Sequence, residues 1–276
     1  MNPILQLSDP SFQTQHSGKC DLLVEILPDA LQFAVIDKGQ DQLKILYRIE
    51  DFSAATEKFS ELTSLAPALN HHYRKVKIAV KSQKFTLIPE DLFDKTLLGE
   101  YAKFITQDEQ DRVFYNHIRA AKCMVVFTLP GNLVELLNTQ FHEPQFFHAA
   151  ITNIEAGMKW AKAQEDTLVL LHLDHQALSC TCFKEGKLVF FNIFPARTAD
   201  EFNYFLLNVM RTLDLASREV SWLLAGVWDA DYQQRVEKYS QKISQVGEPQ
   251  FIRIDPPFEQ LEMESFFSLT ALSICE

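Results

Sequence analysis

The stretch Asp21-Leu22-Leu23-Val24-Glu25-Ile26-Leu27 begins an order of elements that the chain uses twice. This apolar run predicts a strand, and residues 30–37 and 43–49 predict two more, joined by short turns. Apolar residues at helical spacing follow over residues 52–65, and residues 76–80 predict a short buried strand. The first half therefore predicts a three-stranded meander, a helix and a further strand that pairs in parallel.

The second half repeats this order without repeating the letters. Residues 167–173, 177–183 and 188–194 predict three strands. A helix is expected around residues 202–213, and another strand at 220–224. The repeat predicts an α/β fold of two lobes, each with a mixed five-stranded sheet flanked by helices. We expect residues 1–164 to form the first lobe and residues 165–276 the second.

Additional elements lie between the fourth and fifth strands of the first lobe, and they predict a small inserted subdomain over about residues 83–120. Its expected parts are an extended segment at 84–88, a helix at 89–105 and a strand at 113–118. After the insert, the expected elements are a main-sheet strand at 123–128, a helix at 130–139, an extended segment at 145–149 and a helix at 153–163. The tail predicts a helix at 229–244, a strand at 250–254 and a last helix from Glu259 onward.

Composition excludes several classes of partner. The formal charge of −11 would repel nucleic acid and anionic lipid surfaces, so we expect neither as a partner. The most basic run, Arg74 to Lys77 with Lys81 and Lys84, alternates along a predicted strand and is expected to form a solvated face. No stretch reaches the roughly 18 apolar residues that a membrane span requires. Five cysteines, an odd number in apolar contexts, predict buried free thiols in a cytoplasmic protein.

Several segments resemble the actin-like, ribonuclease-H-like superfamily, in which two such sheets flank a nucleotide cleft. They are Ile78-Ala79-Val80, Phe85-Thr86-Leu87-Ile88-Pro89, Val125-Val126-Phe127-Thr128-Leu129-Pro130 and Asn153-Ile154-Glu155-Ala156-Gly157. The order of elements is similar to the pilus-assembly and type II secretion branch, which carries a small insert in the first lobe. It also resembles a bacterial family of unknown function that is assigned this fold.

The resemblance implies a nucleotide cleft, but the phosphate-binding turns depart from the superfamily pattern. Actin-like ATPases hold phosphates on two Asp-x-Gly hairpin turns, one in each lobe. In the first lobe the acid is Glu25, the glycine is replaced by Leu27, and Pro28 before Asp29 lacks a backbone N–H.

The second and third turns of the superfamily pattern are also altered. The second turn has His at the acid position and no glycine, in the stretch His172-Leu173-Asp174-His175-Gln176. The adenosine turn keeps one glycine, in the stretch Ala225-Gly226-Val227-Trp228. The candidate cleft residues are Glu25, Asp29, His172, Asp174 and Gly226. No catalytic residue is assigned, and ATP with Mg²⁺ remains a candidate ligand rather than an expected one.

Histidines and cysteines offer a second chemistry. His172 and Asp174 lie two apart on a predicted strand, so both could face one metal, but a zinc site needs a third protein ligand. A hydrogen-bonded structural role is the simpler interpretation, and no metal is expected. Cys180 and Cys182 are expected to pack in the core. His148 and the other loop histidines are expected to be solvated or to cap helices.

Three functions remain open from the sequence. The first is a non-enzymatic binding or scaffold protein, whose partner is another protein or a second copy of the chain. The second is a divergent nucleotide-binding ATPase or phosphotransferase that uses Glu25, Asp174 or His172. The third is a metal-dependent hydrolase built on His172 and Asp174.

Overall fold

The structure, a computed structural model, describes residues 2–50, 62–163, 166–174, 177–215, 220–249 and 251–276. The helix expected over residues 52–65 lies mostly outside these ranges, and only its last turn, residues 62–65, is described. Two large mixed sheets and one small antiparallel sheet make up the β structure.

The first large sheet contains six strands in the order β1-β4-β3-β2-β5-β9. They are β1 Asn2–Ser8, β2 Cys20–Ile26, β3 Ala30–Asp37, β4 Gln42–Glu50, β5 Lys75–Val80 and β9 Gln145–His148. Strands β2, β5 and β9 are mutually parallel neighbours, whereas β1, β4, β3 and β2 pair antiparallel. Four strands predicted for this sheet, β2, β3, β4 and β5, are present in it. β9 was predicted only as an extended segment, and β1 was not predicted.

The second large sheet repeats the arrangement with five strands in the order β12-β11-β10-β13-β14. They are β10 Thr167–Asp174, β11 Ala177–Lys184, β12 Lys187–Pro195, β13 Val220–Gly226 and β14 Ile243–Gln245. β10 and β13 are parallel in the same way as β2 and β5. The duplication predicted from the two meanders is therefore present.

The inserted sheet contains β6 Phe85–Pro89, β7 Arg112–Ile118 and β8 Cys123–Leu129 in the order β6-β8-β7. The prediction that residues 123–128 resume the main sheet is wrong, because β8 pairs antiparallel with β6 and β7. The run is fully buried, as a central strand should be, but burial does not specify which sheet it enters. The parallel neighbour of β5 is instead β9.

The helix predicted over residues 89–105 is also wrong. The segment forms short 3-10 turns and a five-residue helix, α1 Leu98–Ala102. Phe93 is extended because its ring packs on Tyr115 and Tyr101, with centroids 5.3 and 5.9 Å away. Asp94 then accepts a hydrogen bond from the Thr96 backbone N–H at 2.8 Å, which begins a new turn instead of continuing a helix.

The remaining helices are α2 Gly131–Gln140, α3 Ala149–Ala161, α4 Ala199–Thr212, α5 Ala230–Glu237 and α6 Phe267–Ala271. α3 is the central helix, since it contacts strands of the second sheet, the inserted sheet and α6. Gly157 lies where α3 meets β11, and a Cβ there would be 2.7 Å from the Phe183 ring. Gly157 is therefore a point of close approach between this helix and the second sheet.

The tail differs from its prediction in three places. α5 ends at Glu237 rather than near residue 244, and the fifth strand is β14 rather than residues 250–254. Arg253 makes an isolated bridge to Gln42 of the first sheet, so this segment leaves the second sheet. The last helical segment begins at Met263 rather than at Glu259. Within the described residues, no helix is both long and apolar enough to cross a bilayer.

The chain end returns to the first sheet, where a buried lysine anchors it. Lys77 on β5 donates to the carbonyl oxygens of Leu272 at 3.3 Å and Ser273 at 3.4 Å, and also to that of Cys275. Burial lowers the pKa of Lys77. The expectation that the basic run forms a solvated face is wrong for Lys77 and Lys81, which are both buried. Carbonyl oxygens and a carboxylate compensate these charges.

Candidate functional site

The carboxyl ends of four parallel strands meet between the two large sheets. Glu25 lies near the end of β2, Lys81 follows β5, Asp174 ends β10, and Gly226 ends β13. Clefts at the carboxyl ends of parallel strands are common ligand sites in α/β proteins. The structure therefore places four of the five candidate residues, Glu25, His172, Asp174 and Gly226, in one region. Asp29, the fifth, is half-buried in the turn after β2.

Lys81 and Asp174 form an ion pair that joins the two sheets. The Lys81 Nζ contacts Asp174 Oδ2, and the two side chains are 2% and 8% exposed. Burial alone would raise the pKa of the Asp174 carboxyl, but Lys81 and then His172 outweigh burial and hold that pKa well below its usual range. Asp174 is therefore a carboxylate whose counter-ion comes from the chain itself.

His172 lies beside this pair and is oriented by α3. Its Nδ1 is 3.1 Å from Asn153 Oδ1, and Asn153 Nδ2 donates to the Ala149 carbonyl at 2.8 Å. Because the amide nitrogen is used in this way, Asn153 presents its oxygen, and His172 Nδ1 is the donor. His172 Nε2 is 3.5 Å from Asp174 Oδ1 and has no hydrogen-bond partner.

Glu25 belongs to a polar row that crosses the first sheet. Gln32 Nε2 donates to Glu25 Oε2 at 2.6 Å, and Arg48 Nη1 donates to Gln32 Oε1 at 3.2 Å. Glu25 is fully buried, and its Oε1 has no hydrogen-bond partner. Burial, and then the nearby Asp174 carboxylate, raise the pKa of Glu25. Glu25 is thus a carboxyl group that the fold favours in its neutral form.

The turn between β2 and β3 offers few donors to an anion. The Leu27 N–H already donates to the Ala30 carbonyl at 2.9 Å, and Pro28 has no N–H. His175 and Gln176 of the second turn lie outside the described residues. The donors that phosphate-binding turns usually supply are therefore reduced in the first lobe.

Gly226 is explained by packing within the second sheet. Its φ is +92°, and a Cβ there would lie 2.0 Å from the Leu173 carbonyl oxygen. The next residue, Val227, donates its N–H to that same oxygen at 2.8 Å. Only glycine can take this backbone conformation so close to β10. This glycine does not require a nucleotide to explain it.

These residues do not fit Mg²⁺ and a triphosphate well. Mg²⁺ is held by ionised carboxylates that are free to coordinate it. Asp174 is already paired with Lys81, and the raised pKa of Glu25 favours its protonated form. Nor do they form a metal site of the zinc type. Among the described residues, no group of three or more His, Cys, Asp or Glu side chains could hold a metal ion.

A cleft of about 380 Å³ opens beside the ion pair. Its lining residues come from both large sheets, the loops after their strands and the start of α4: Pro28, Lys81, Ser82, Gln83, Ala177, Ile193, Pro195, Arg197 and Glu201. Arg197 and Gln83 are exposed at its mouth, while Lys81 lies at its base. The cleft is large enough for a small ligand.

Sequence reasoning missed Lys81 as a site residue, and it predicted His148 only as a solvated or capping histidine. His148 is fully buried, accepts a hydrogen bond from the Ala150 N–H at 3.1 Å, and lies 2.8 Å from the Ser82 carbonyl oxygen. It caps α3, as one of its two expected roles, and burial lowers its pKa to about 4. The available signal for Lys81 was its position directly after the buried strand β5, parallel to the strand that carries Glu25.

Comparison with known proteins identifies the family and the fold. A family profile described as protein of unknown function (DUF3822) matches residues 9–243, and the chain belongs to that family. No protein with a curated description is similar enough in sequence to match.

Solved structures that share the architecture include two that align over at least 92% of both chains. One is a protein of unknown function with an actin-like ATPase fold from Bacteroides thetaiotaomicron VPI-5482. It has 20% identity and a TM-score of 0.80, over 96% of this chain and 99% of that one. The other is the PilM–PilN type IV pilus biogenesis complex, with 12% identity and a TM-score of 0.64 over 92% and 97% of the chains. The fold is therefore the actin-like ATPase fold, as the resemblance implied.

Proposed function

We propose that this member of the DUF3822 family is a non-catalytic binding or scaffold protein, whose actin-like cleft is occupied at its centre by the chain's own charges. The observation that carries the proposal is the buried Lys81–Asp174 ion pair. The Lys81 ammonium group contacts one carboxylate oxygen of Asp174, at the end of β10. A metal or phosphate at this position would have to break the pair and leave a buried charge uncompensated, which costs about 3–5 kcal/mol.

The other altered positions support the same proposal. The fold favours the neutral form of Glu25, and the first turn has lost donors at Leu27 and Pro28. Each of these changes alone would weaken nucleotide binding. Because all of them weaken it, we infer that the cleft no longer turns over ATP.

We further propose that the partner is a protein. PilM, which shares the fold, is solved in a complex with PilN, so this architecture can present a surface to another chain. Five free cysteines, all buried, suit a reducing compartment, and we propose a cytoplasmic location. The charge of −11 opposes binding to nucleic acid.

Release of inorganic phosphate from Mg-ATP tests the catalytic half of this proposal. We expect the wild-type chain and the Asp174→Asn variant to release phosphate at the same background rate at every protein concentration used. Turnover that rises linearly with wild-type protein and is lost in Asp174→Asn would overturn the proposal. A fold check by circular dichroism accompanies both proteins, so that loss of activity is not mistaken for loss of structure.

A divergent nucleotide-binding ATPase or phosphotransferase is the second candidate. Two unpartnered polar atoms favour it, Glu25 Oε1 and His172 Nε2, because each retains the capacity for one more hydrogen bond. This candidate predicts phosphate release that depends on Glu25 and His172 as well as on Asp174.

A further inference from the structure

The second sheet presents an aromatic surface to solvent. Tyr204 and Leu207 on α4 are 61% and 41% exposed. We call this surface the aromatic face, and it comprises Phe190, Phe194, Tyr204, Phe205 and Leu207. The three phenylalanines are half-buried, and Phe190 and Phe194 pack against the core of the second sheet.

The aromatic face is an ordered array of rings and not a scatter of exposed side chains. The Phe194 ring stacks on Phe205 with centroids 4.8 Å apart, and Phe205 meets Tyr204 edge-on at 5.1 Å. Phe190 continues the row, 6.4 Å from Phe194. Contiguous exposed apolar surface of this kind usually marks an interaction site.

Its charge distribution sets it apart from the rest of the chain. Residues 186–199 and 202–213 contain no Asp or Glu, although the chain carries 37 acidic residues. The charges lie only at the two ends, because β12 and α4 run in opposite directions. One end carries three cations and two anions, which are Lys184, Lys187, Arg211, Glu185 and Asp214. The other end carries two cations and three anions, which are Arg197, Arg235, Asp200, Glu201 and Asp231. The first end has one more cation than anions, and the second one more anion than cations.

We propose that the aromatic face binds the same face of a second copy of this chain, related by a two-fold axis that sets the two copies antiparallel. Two copies of a chain with charge −11 repel over most of their surfaces, but this face has no carboxylate at its centre. The antiparallel arrangement also brings the cationic end of each copy to the anionic end of the other. Such a self-complementary patch is the requirement for a two-fold dimer.

Pairing through the free edge of β12 is disfavoured by three features of the strand. The register shifts at Val189, which leaves an extra residue and a bulge. The Ile193 N–H donates to the Asn192 side-chain oxygen at 2.9 Å, and Pro195 has no N–H to donate. The copies therefore meet through side chains of the aromatic face and not by extending the sheet. The aromatic face lies outside the cleft, so dimerisation through it does not depend on whether the cleft binds a nucleotide. The dimer is therefore tested independently of the proposed function.

Sedimentation velocity of the full chain at micromolar concentrations tests the proposal. The wild type is expected to be a dimer, and Leu207→Asp and Tyr204→Asp are each expected to weaken dimerisation at least about tenfold. Phe104→Asp is the matched control, because Phe104 is 87% exposed on the loop after α1 and gains the same charge. A monomeric wild type would overturn the proposal, as would a dimer that survives both substitutions or a control that also dissociates.

A charge exchange tests the two-fold arrangement with surface variants that leave the apolar residues in place. Arg211→Glu should weaken the dimer by placing an acid against the anionic end of the other copy. Adding Asp200→Lys in the same chain should restore it, because each copy then presents the opposite charge at both ends. A double variant that dissociates further would contradict the antiparallel arrangement. A monomer that instead binds vesicles containing phosphatidylserine would assign the aromatic face to a membrane surface and overturn the dimer.

Discussion

Lys81 and Asp174 show at the scale of single residues how this cleft differs from an open one. Each charge is nearly inaccessible to solvent, and neither could be buried at low cost without the other. The pair also connects two sheets that are distant in sequence, so it contributes to holding the sheets together as well as filling the space between them.

Removing the lysine alone should therefore be severely destabilising. Lys81→Met leaves the Asp174 carboxylate buried without its cation, and we expect the free energy of unfolding to fall by about 3–5 kcal/mol. The double variant Lys81→Met/Asp174→Leu should recover most of this loss, since it removes both charges. Urea denaturation of the two single variants and the double variant measures the coupling. Additive losses would show that the pair does not interact.

Glu25 should make stability depend on pH. Because burial raises its pKa in the folded state, the folded protein holds this proton more tightly than the unfolded chain. The contribution of Glu25 to the free energy of unfolding is fully present below about pH 4, the pKa of Glu in the unfolded chain. This contribution is lost as pH rises through the pKa of Glu25 in the folded protein.

Glu25→Gln removes this titration and should raise the free energy of unfolding at pH 7, with little effect below about pH 4. Denaturant unfolding across that range compares the variant with wild type. A variant that is equally or less stable at pH 7 would show that the ionised carboxylate is not disfavoured.

At the scale of elements, the sequence was sufficient wherever apolar periodicity alone decides the structure. The meanders β2-β3-β4 and β10-β11-β12 follow from apolar runs separated by short turns. The start of α4 can be read from Thr198-Ala199-Asp200-Glu201, which has the spacing of a capping box, and Thr198 accepts the Glu201 N–H at 3.2 Å. The helix predicted after β6 was wrong because the Phe93 ring packs against Tyr101 and Tyr115 and interrupts the helix. Such contacts cannot be read from the local sequence.

Asn116 joins the inserted sheet to the first sheet. Its Nδ2 donates to the Phe146 carbonyl at 2.9 Å and its Oδ1 accepts the His148 N–H at 3.0 Å, so one side chain satisfies the free edge of β9. We expect Asn116→Leu to lower the free energy of unfolding by about 1–3 kcal/mol, because two partly buried backbone groups lose their partners. Faster amide exchange at His148 would locate the effect. Unchanged exchange at this amide would contradict the role given to Asn116.

Gly157 fixes the contact between α3 and β11. Gly157→Ala should lower the free energy of unfolding by about 1–3 kcal/mol, because the new Cβ meets the Phe183 ring at 2.7 Å. Gly99→Ala is the control, as a Cβ at Gly99 has nothing within 4 Å. That control should be neutral or more stable by up to about 1 kcal/mol. Thermal unfolding distinguishes the two. Equal effects would mean that Phe183 moves aside without cost.

At the scale of the whole molecule, the duplicated architecture could be predicted, but the content of the cleft could not. Glu25, His172 and Asp174 lie near the carboxyl ends of β2 and β10, and such strand ends can be read from apolar runs. The partner of Asp174 could not be predicted, since a lysine after a short strand looks the same whether it faces solvent or a second sheet. The lobe boundary near residue 164 stays a prediction.

The central claim is that the charges of the chain itself fill the cleft, so that triphosphate does not bind there. Thermal unfolding of the full chain with 1 mM Mg-ATP, against MgCl₂ at matched ionic strength, tests this claim most directly. A ligand present at about 100 times its Kd would stabilise the folded state by about 2.7 kcal/mol and raise Tm by several degrees. We predict no change in Tm between the two conditions. A rise of several degrees that depends on ATP concentration and disappears in Asp174→Asn would contradict the claim.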